Sequence, residues 1–335
     1  MGRWQDRITE RWVDQIAAEH LGVGSGTLRE VGGFENKIYG FSRDSREYIL
    51  RVSHSSHRSR EQIVSELDWV CYLADHGVNV SRPVPLRSGA FCESVEAEDE
   101  GCCVLTLMTR APGAHAGAGS AAWGTGLFES WGAITGQMHA LAPGYQVPEG
   151  IEPRPSEDSL DVGDPEGMPP AQADVWGRYL QLQQEIDGLK REPDGFGLCH
   201  RDLHQGNFYV DNAGKITAFD FDDCGYEHYL HDIAMAVYYS SVFPDWRRPV
   251  TDPEVLASSS EVFLDAFMKG YGREHTLSPR HWAKLSLFLE RRRCDLCLLL
   301  FEEWGRPDSI PEQRAWLESN IEGIRSGTPA IPVSW

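Results

Sequence analysis

Cysteine is scarce in this chain: eight residues in 335 are too dilute for a disulfide scaffold. Positive charge is in deficit as well, with 31 Lys and Arg against 51 Asp and Glu, a formal net charge of −20. A surface that acidic lacks the electrostatic footprint for a polyanion, so neither nucleic acid nor an anionic membrane is expected as a partner. No apolar run approaches the roughly 18 residues that a membrane span requires. The opening MGRWQDRITERW is polar and amphipathic, without the apolar core of a signal peptide. The expectation is a cytoplasmic protein, with its oligomeric state left open. Internal repeats are absent too, and no G-x-G-x-x-G run occurs.

What is present is ordinary for a folded protein: 41% hydrophobic and 24% charged residues, in a chain long enough for two domain-sized cores. The acidity is uneven. Residues 1–108 carry 12 Lys/Arg and 17 Asp/Glu, a net of −5, and the remainder carries 19 and 34, a net of −15. If the second part binds a small molecule, its field attracts a cation; the same acidity also serves solubility.

Apolar positions Ile8, Trp12, Ile16 and Leu21 predict a helix within the first 22 residues. Three short strands follow, one ending at Val31, then Ile38–Phe41 and Tyr48–Val52, linked by Gly32-Gly33 and the polar SRDSRE turn. Residues 60–77 place Ile63, Leu67, Val70 and Leu73 on one helical face and stop at Gly77. A strand pair is expected around ESVEAEDEG, its second member Cys102–Met108. This order gives an antiparallel sheet with one main helix over 1–108. Residues 109–335 read as a mainly helical second domain. Helices are expected at Phe128–Leu141, Ala173–Arg191, Ala234–Val242, Val255–Gly270 and His281–Trp304, with a surface loop over 145–172 and short strands flanking 198–220. Cys71, Cys199 and Cys224 read as small hydrophobes, and Cys102–Cys103 as part of a strand. Cys294-x-x-Cys297 lies in a leucine-rich stretch with no second pair, so it reads as core packing rather than a zinc or redox motif.

The chemistry concentrates in LCHRDLHQGNFYVDNAGKITAFDFDDCGYEHYLHDIA, residues 198–234. Phosphoryl transfer needs a carboxylate near the acceptor hydroxyl and oxygen ligands that hold magnesium on the phosphates. A turn carrying Asp202 and Asn207, followed by a hairpin that brings in Asp220, supplies those groups. The order H-x-D-L-H-x-G-N, then hydrophobic-D-F, then D-I-A resembles the aminoglycoside phosphotransferase-like and choline-kinase-like enzymes. The resemblance covers roughly residues 25–310.

The resemblance implies an α+β, bilobal protein-kinase-like fold and ATP with Mg2+ as cofactors. It implies that Asp202 is the catalytic base, that Asn207 and Asp220 are metal ligands and that Asp232 braces the catalytic loop. His200 is expected to orient the loop, and His204 to be structural. Asp222 is assigned to the metal, with a solvated turn carboxylate as the alternative for it and for Asp223. Two positions depart from the family pattern: Arg201 stands for its usual Gly and Gln205 for its usual Pro. In the first domain the resemblance puts Arg51 where many kinases have Lys, partnered by Glu66, with Glu61 as the competing partner. Arginine suits this place because its fork matches phosphate oxygens. VGGFENKIYGF, residues 31–41, takes the place of the phosphate-covering loop, with backbone amides of Gly33–Asn36 and the charge of Lys37 toward the phosphates. Met108–Arg110 would be the hinge that reads adenine.

The function so implied is transfer of the ATP γ-phosphate to a hydroxyl of a small molecule, with a cationic acceptor (an aminoglycoside or amino-sugar, choline, ethanolamine or homoserine) favoured by the acidic second domain. A protein Ser/Thr kinase is the alternative raised by the HRD triplet. Against it, no A-P-E segment follows Asp220, and Asp232 comes only ten positions after Asp222. A nucleotide-binding regulator without catalysis is the other alternative.

Overall fold

The computed structural model describes residues 4–33, 35–97, 101–156 and 167–332. Two compact units emerge. The first comprises Met1–Pro112, Gly144–Arg154 and Thr217–Asp222; the second comprises Gly113–Pro143, Pro155–Ile216 and Asp223–Trp335. The units are therefore not two contiguous stretches divided near residue 108.

The first unit begins with a short 3-10 turn, Trp4–Arg7, and helix α1, Glu10–Ile16, capped by the Thr9 side chain and continued as a π turn over Ala17–Leu21. The expected N-terminal helix is thus shorter, and Met1–Arg3 lie outside the described residues. Strands β1 (Arg29–Gly32), β2 (Lys37–Arg43) and β3 (Arg46–His54) form an antiparallel meander. Its tight turn sets Asp44 and Ser45 at φ 52° and 61°, the left-handed pair that matches strand twist in a two-residue hairpin. Helix α2 (Arg60–Asp75) opens with a complete capping box between Ser59 and Gln62. It ends where Gly77 adopts φ 87° and the Val78 N–H bonds back to the Leu73 carbonyl. Strands β4 (Pro83–Val84), β5 (Cys92–Glu96) and β6 (Cys102–Thr109) complete the sheet, in the order β1-β2-β3-β6-β4 with β5 also on β6. Residues 98–100 of the expected acidic turn lie outside the described residues.

The period-two alternation of β3 organises this unit. Tyr48, Leu50 and Val52 face a core with Trp12, Ile16, Leu105 and Leu107. Ile49, Arg51 and Ser53 face the other way, and on the α2 side Ile63 and Leu67 pack with Cys92 and Val104. Leu50 is 0% exposed, so truncation to Ala there costs about 2–5 kcal/mol.

Along the rest of the chain, helix α3 (Thr125–Leu141) leads to α4 (Pro170–Asp187), β7 (Phe196–Cys199) and β8 (Phe208–Val210) of the second unit, and β9 (Ile216–Ala218) follows where the chain passes back to the first. Then come β10 (Gly225–His228), α5 (Tyr229–Val242), α6 (Pro253–Tyr271), α7 (Pro279–Trp282), α8 (Leu285–Trp304) and α9 (Pro311–Ser326). Helices α3 and α6 lie against each other through glycine: a Cβ on Gly132 would sit 1.8 Å from the Phe267 carbonyl oxygen, and one on Gly270 1.8 Å from that of Glu129. Strands β7 and β10 pair antiparallel, Cys199 opposite Gly225, which brings the start of the loop at His200 beside the entry to α5.

Three expectations change. The helix expected at His281–Trp304 is broken at Ala283–Lys284 into α7 and α8. Helix α5 begins at Tyr229, five residues before the expected start at Ala234, so Asp232 lies in its first turn. Residues 144–154, read as surface loop, join the first unit, with the Tyr145 hydroxyl donating to Asp68 at 2.6 Å. Cys294 and Cys297 are buried on α8, and burial pushes the Cys294 thiol up to about 12, consistent with core packing. Among the described residues no helix is long and apolar enough to cross a membrane.

Candidate active site

In the first unit, Arg51 donates to both oxygens of Glu66, Nη1 to Oε1 at 2.8 Å and Nη2 to Oε2 at 2.6 Å. This is the bidentate fork that fixes a guanidinium in one plane. Glu66, not Glu61, is the partner. Burial alone would lower the Arg51 pKa, but the Glu66, Asp222 and Asp220 carboxylates outweigh it and raise it, so the cation is permanent.

Asp222 is the second centre of this unit. It is 6% exposed, so it is not a solvated turn carboxylate. His57 Nε2 donates to its Oδ2 at 2.5 Å, while Arg58 Nε and Arg51 Nη1 stand 3.5 and 3.9 Å from its Oδ1. Burial would raise the Asp222 pKa; the His57 hydrogen bond and the two arginines drive it well below the carboxylate range. His57 also faces Glu35 Oε2 through Nδ1 at 3.2 Å. Carboxylates on both ring nitrogens raise its pKa despite burial. Arg154 ties this corner together, donating to the Gln62 carbonyl at 2.7 Å and the Asp222 carbonyl at 2.6 Å. Two residues earlier, Asp220 is exposed and adopts φ 64°.

The loop over 31–36 is shaped by Gly33 at φ 125°, where a Cβ would lie 1.9 Å from the Asn36 carbonyl oxygen. Asn36 is buried. Phe34 lies outside the described residues. Lys37 pairs with Glu30 at 2.8 Å. Met108 lies within β6, opposite Ile49 and Pro83. The Thr109 and Arg110 amides donate to the Arg82 and Glu47 carbonyls, and the Arg110 side chain pairs with Glu47 at 2.9 Å.

In the second unit, the loop that begins at His200 hangs on Asp232. Its Oδ2 accepts from the His200 amide at 2.9 Å and its Oδ1 from the Arg201 amide at 2.8 Å. His139, on α3, places Nε2 3.2 Å from the same Oδ2 and Nδ1 2.9 Å from the Tyr271 hydroxyl. Burial would raise the Asp232 pKa, yet these partners bring it to about 2. Arg201 occupies φ 69°, the left-handed region that favours glycine, which is the residue the family pattern expects there. Its carbonyl faces His231 Nε2 at 3.0 Å, so the strained peptide is held from both sides. The Arg201 side chain is 3% exposed. Gln205, standing for the pattern's Pro, donates to the Phe243 carbonyl at 2.6 Å.

Asp202 emerges half-buried from this loop. Asn207 Nδ2 donates to its Oδ2 at 2.8 Å and to its carbonyl at 2.9 Å, which leaves the Asn207 amide oxygen outside that grip. The Asp202 amide lies 3.4 Å from His200 Nδ1. His204 Nε2 stands 3.4 Å from Asp202 Oδ2 and accepts the Gly206 amide at Nδ1, and Arg292 Nη2 is 3.8 Å from Asp202 Oδ1. Burial raises the Asp202 pKa, but His204 and Arg292 lower it overall.

Sequence reasoning missed His57, Arg58, Arg154, His139 and Arg292. The triplet Arg291-Arg292-Arg293 inside an otherwise leucine-rich helix was a signal for the last; the others carry none.

The model of the phosphotransferase enzyme family matches residues 27–288. An amicoumacin kinase of Bacillus subtilis (strain 168) is 31% identical over 316 residues, covering 93% of this chain and 91% of its own. A homoserine kinase of Cupriavidus necator is 26% identical over 277 residues, covering 76% of each. Among solved structures, the amicoumacin kinase hAmiN in complex with AMP-PNP, Ca2+ and Ami superposes with a TM-score of 0.87 at 30% identity, over 98% of this chain and 97% of that one.

Proposed function

The chain belongs to the phosphotransferase enzyme family, and from that premise we propose that Asp202 directs the γ-phosphoryl group of ATP, with Mg2+, onto a hydroxyl of an amine-bearing small molecule. The fold is α+β and protein-kinase-like, and the activity is phosphotransfer to a hydroxyl of a small molecule. The observation that carries the residue assignment is the loop itself: Asp202 gripped by Asn207, on a backbone hung from Asp232.

Each donor, taken in its own unit, is of the kind a hard divalent cation takes: Asp220 of the first unit offers an exposed carboxylate, and Asn207 of the second an amide oxygen. When bound, the cation neutralises charge developing on the phosphates. The complex of hAmiN with AMP-PNP and Ca2+ supports a divalent ion in a relative. Asp222 is engaged by His57 and two arginines. We therefore assign it to holding the cations of the first unit rather than to the metal.

Arg51, kept planar by Glu66, supplies positive charge to the nucleotide phosphates, and the Gly33–Asn36 backbone covers them. Asp202 orients the acceptor hydroxyl. As the acceptor oxygen bonds to the γ-phosphorus and the bond to the bridging oxygen of ADP breaks, the hydroxyl proton passes to Asp202. The transition state is loose and the transfer late, so orientation outweighs base strength, in keeping with the lowered Asp202 pKa.

The protein-kinase alternative rested on HRD, but Arg201 is buried and serves the loop. Amicoumacin and homoserine kinases as relatives favour a small acceptor, and homoserine carries an amine. The test is ADP release in the presence of amicoumacin, homoserine, amino-sugars and amino alcohols. At least one amine-bearing acceptor should be turned over, with a rate that falls as salt is raised. Turnover confined to uncharged acceptors would contradict the cationic part of the proposal.

A further inference from the structure

Tyr239 lies on α5, about two turns beyond Asp232. It is 5% exposed and at first sight is another core aromatic. Its contacts are more specific than that. Its ring stacks on His204, centroids 4.5 Å apart and planes 12° apart, and its hydroxyl accepts a hydrogen bond from Arg292 Nη2 at 2.6 Å. Those two groups flank Asp202 on different oxygens: His204 Nε2 is 3.4 Å from Oδ2, and Arg292 Nη2 is 3.8 Å from Oδ1. Trp246 stacks against Tyr239 as well, planes 9° apart, so the ring is held in place.

We propose that Tyr239 is a positioning residue for phosphoryl transfer, anchoring His204 and Arg292 at the two oxygens of Asp202 so that the carboxylate meets the acceptor in one orientation. The inference rests on the reading of Asp202 as the acceptor-facing carboxylate. The terminal torsion of an aspartate is broad, so a carboxylate gripped on one oxygen swings about that grip. Asn207 holds only Oδ2 with its side chain. Arg292 is the group at Oδ1; its Nη2 donates to the Tyr239 hydroxyl at 2.6 Å, while its Nη1 has only a looser approach to Asp295 at 3.9 Å. Packing alone does not need that hydroxyl, because phenylalanine fills the same volume.

The test compares Tyr239→Phe, Arg292→Met, the double variant and Asp202→Asn. ADP release is measured with amicoumacin and with homoserine, and binding of AMP-PNP and thermal unfolding are followed in parallel. Tyr239→Phe keeps the His204 stack and loses the anchor, so kcat should fall about tenfold to a hundredfold, with AMP-PNP affinity unchanged. Arg292→Met should fall by a similar factor, and the double variant no further, because both remove one clamp. Wild-type kcat in Tyr239→Phe while Asp202→Asn is inactive overturns the inference, as do losses that multiply in the double variant. A lower Tm with kcat intact would likewise reduce Tyr239 to a packing residue. Full turnover by Asp202→Asn would instead overturn the underlying reading. If neither acceptor is turned over, a crystal structure of Tyr239→Phe decides: a guanidinium displaced from Asp202 Oδ1 supports the anchor, and an unmoved one overturns it.

Discussion

Replacing Asp232 with Asn is the sharpest probe of how the catalytic loop is held. The carboxylate accepts the His200 amide at 2.9 Å, the Arg201 amide at 2.8 Å, and faces His139 Nε2 at 3.2 Å. An amide offers one oxygen where the carboxylate offers two, so one backbone N–H must meet an NH2 group instead of an acceptor. A hydrogen bond to a buried charge contributes about 1.5–3 kcal/mol, and an unsatisfied buried donor costs a similar amount. The lowered pKa gives a separate figure: a carboxyl at about 2 in the folded chain, against its ordinary value of 3.8, corresponds to roughly 2 kcal/mol of stability at neutral pH. The two converge on a loss of about 2–4 kcal/mol, part of which is offset as the strained Arg201, at φ 69°, relaxes once unpinned. The assay is urea unfolding of both proteins at pH 7 and at steps down to pH 3. Because the folded pKa is depressed, the contribution is complete above the unfolded pKa near 4 and fades as pH falls toward about 2. The gap between wild type and variant should therefore be widest at pH 7 and narrow below pH 4. A gap under about 1 kcal/mol at pH 7, or one that stays constant down to pH 3, would refute the reasoning.

Glu66→Gln leaves Arg51 with a neutral partner in a buried site, so AMP-PNP affinity measured by calorimetry should weaken at least about tenfold, whereas Glu61→Gln should leave it unchanged. Gly33→Ala puts a methyl against the Asn36 carbonyl at a positive φ, so KM for ATP should rise several-fold while far-ultraviolet circular dichroism stays native. Of the eight cysteines, only Cys71 and Cys102 are partly exposed. The folded chain should therefore react rapidly with a thiol reagent at no more than those two positions, and all eight should react after denaturation.

Much of this was legible in the sequence, for identifiable reasons. The strands of the first unit announce themselves by alternation, and α2 by its capping serine and terminal glycine, because both signals are local. Arg51 and Glu66 could be paired because the family resemblance gives each a position, and the structure joins them. What the sequence hid is tertiary. Arg154 sits in a Pro-rich stretch that reads as loop, and only the fold brings it to Gln62 and Asp222. His139 and Tyr239 look like ordinary core positions of α3 and α5 until their polar atoms are followed to Asp232 and Arg292. The break between α7 and α8 occurs at Ala283–Lys284, where neither proline nor glycine marks it. Helix α9 went unnoticed although Pro311 stands at its first position, a recognised start signal. Arg201 shows the reverse: a departure that suggested another substrate class is a left-handed residue filled by a buried arginine.

The central claim is that Asp202 delivers the acceptor hydroxyl to the phosphate, and Asp202→Asn tests it most directly. Asparagine keeps the shape and can still meet Asn207, but it takes up no proton. Single-turnover kinetics with ATP and an accepted hydroxyl compound should show phosphoryl transfer slowed about a hundredfold to ten-thousandfold, with AMP-PNP binding unchanged. Transfer at close to the wild-type rate would contradict the account.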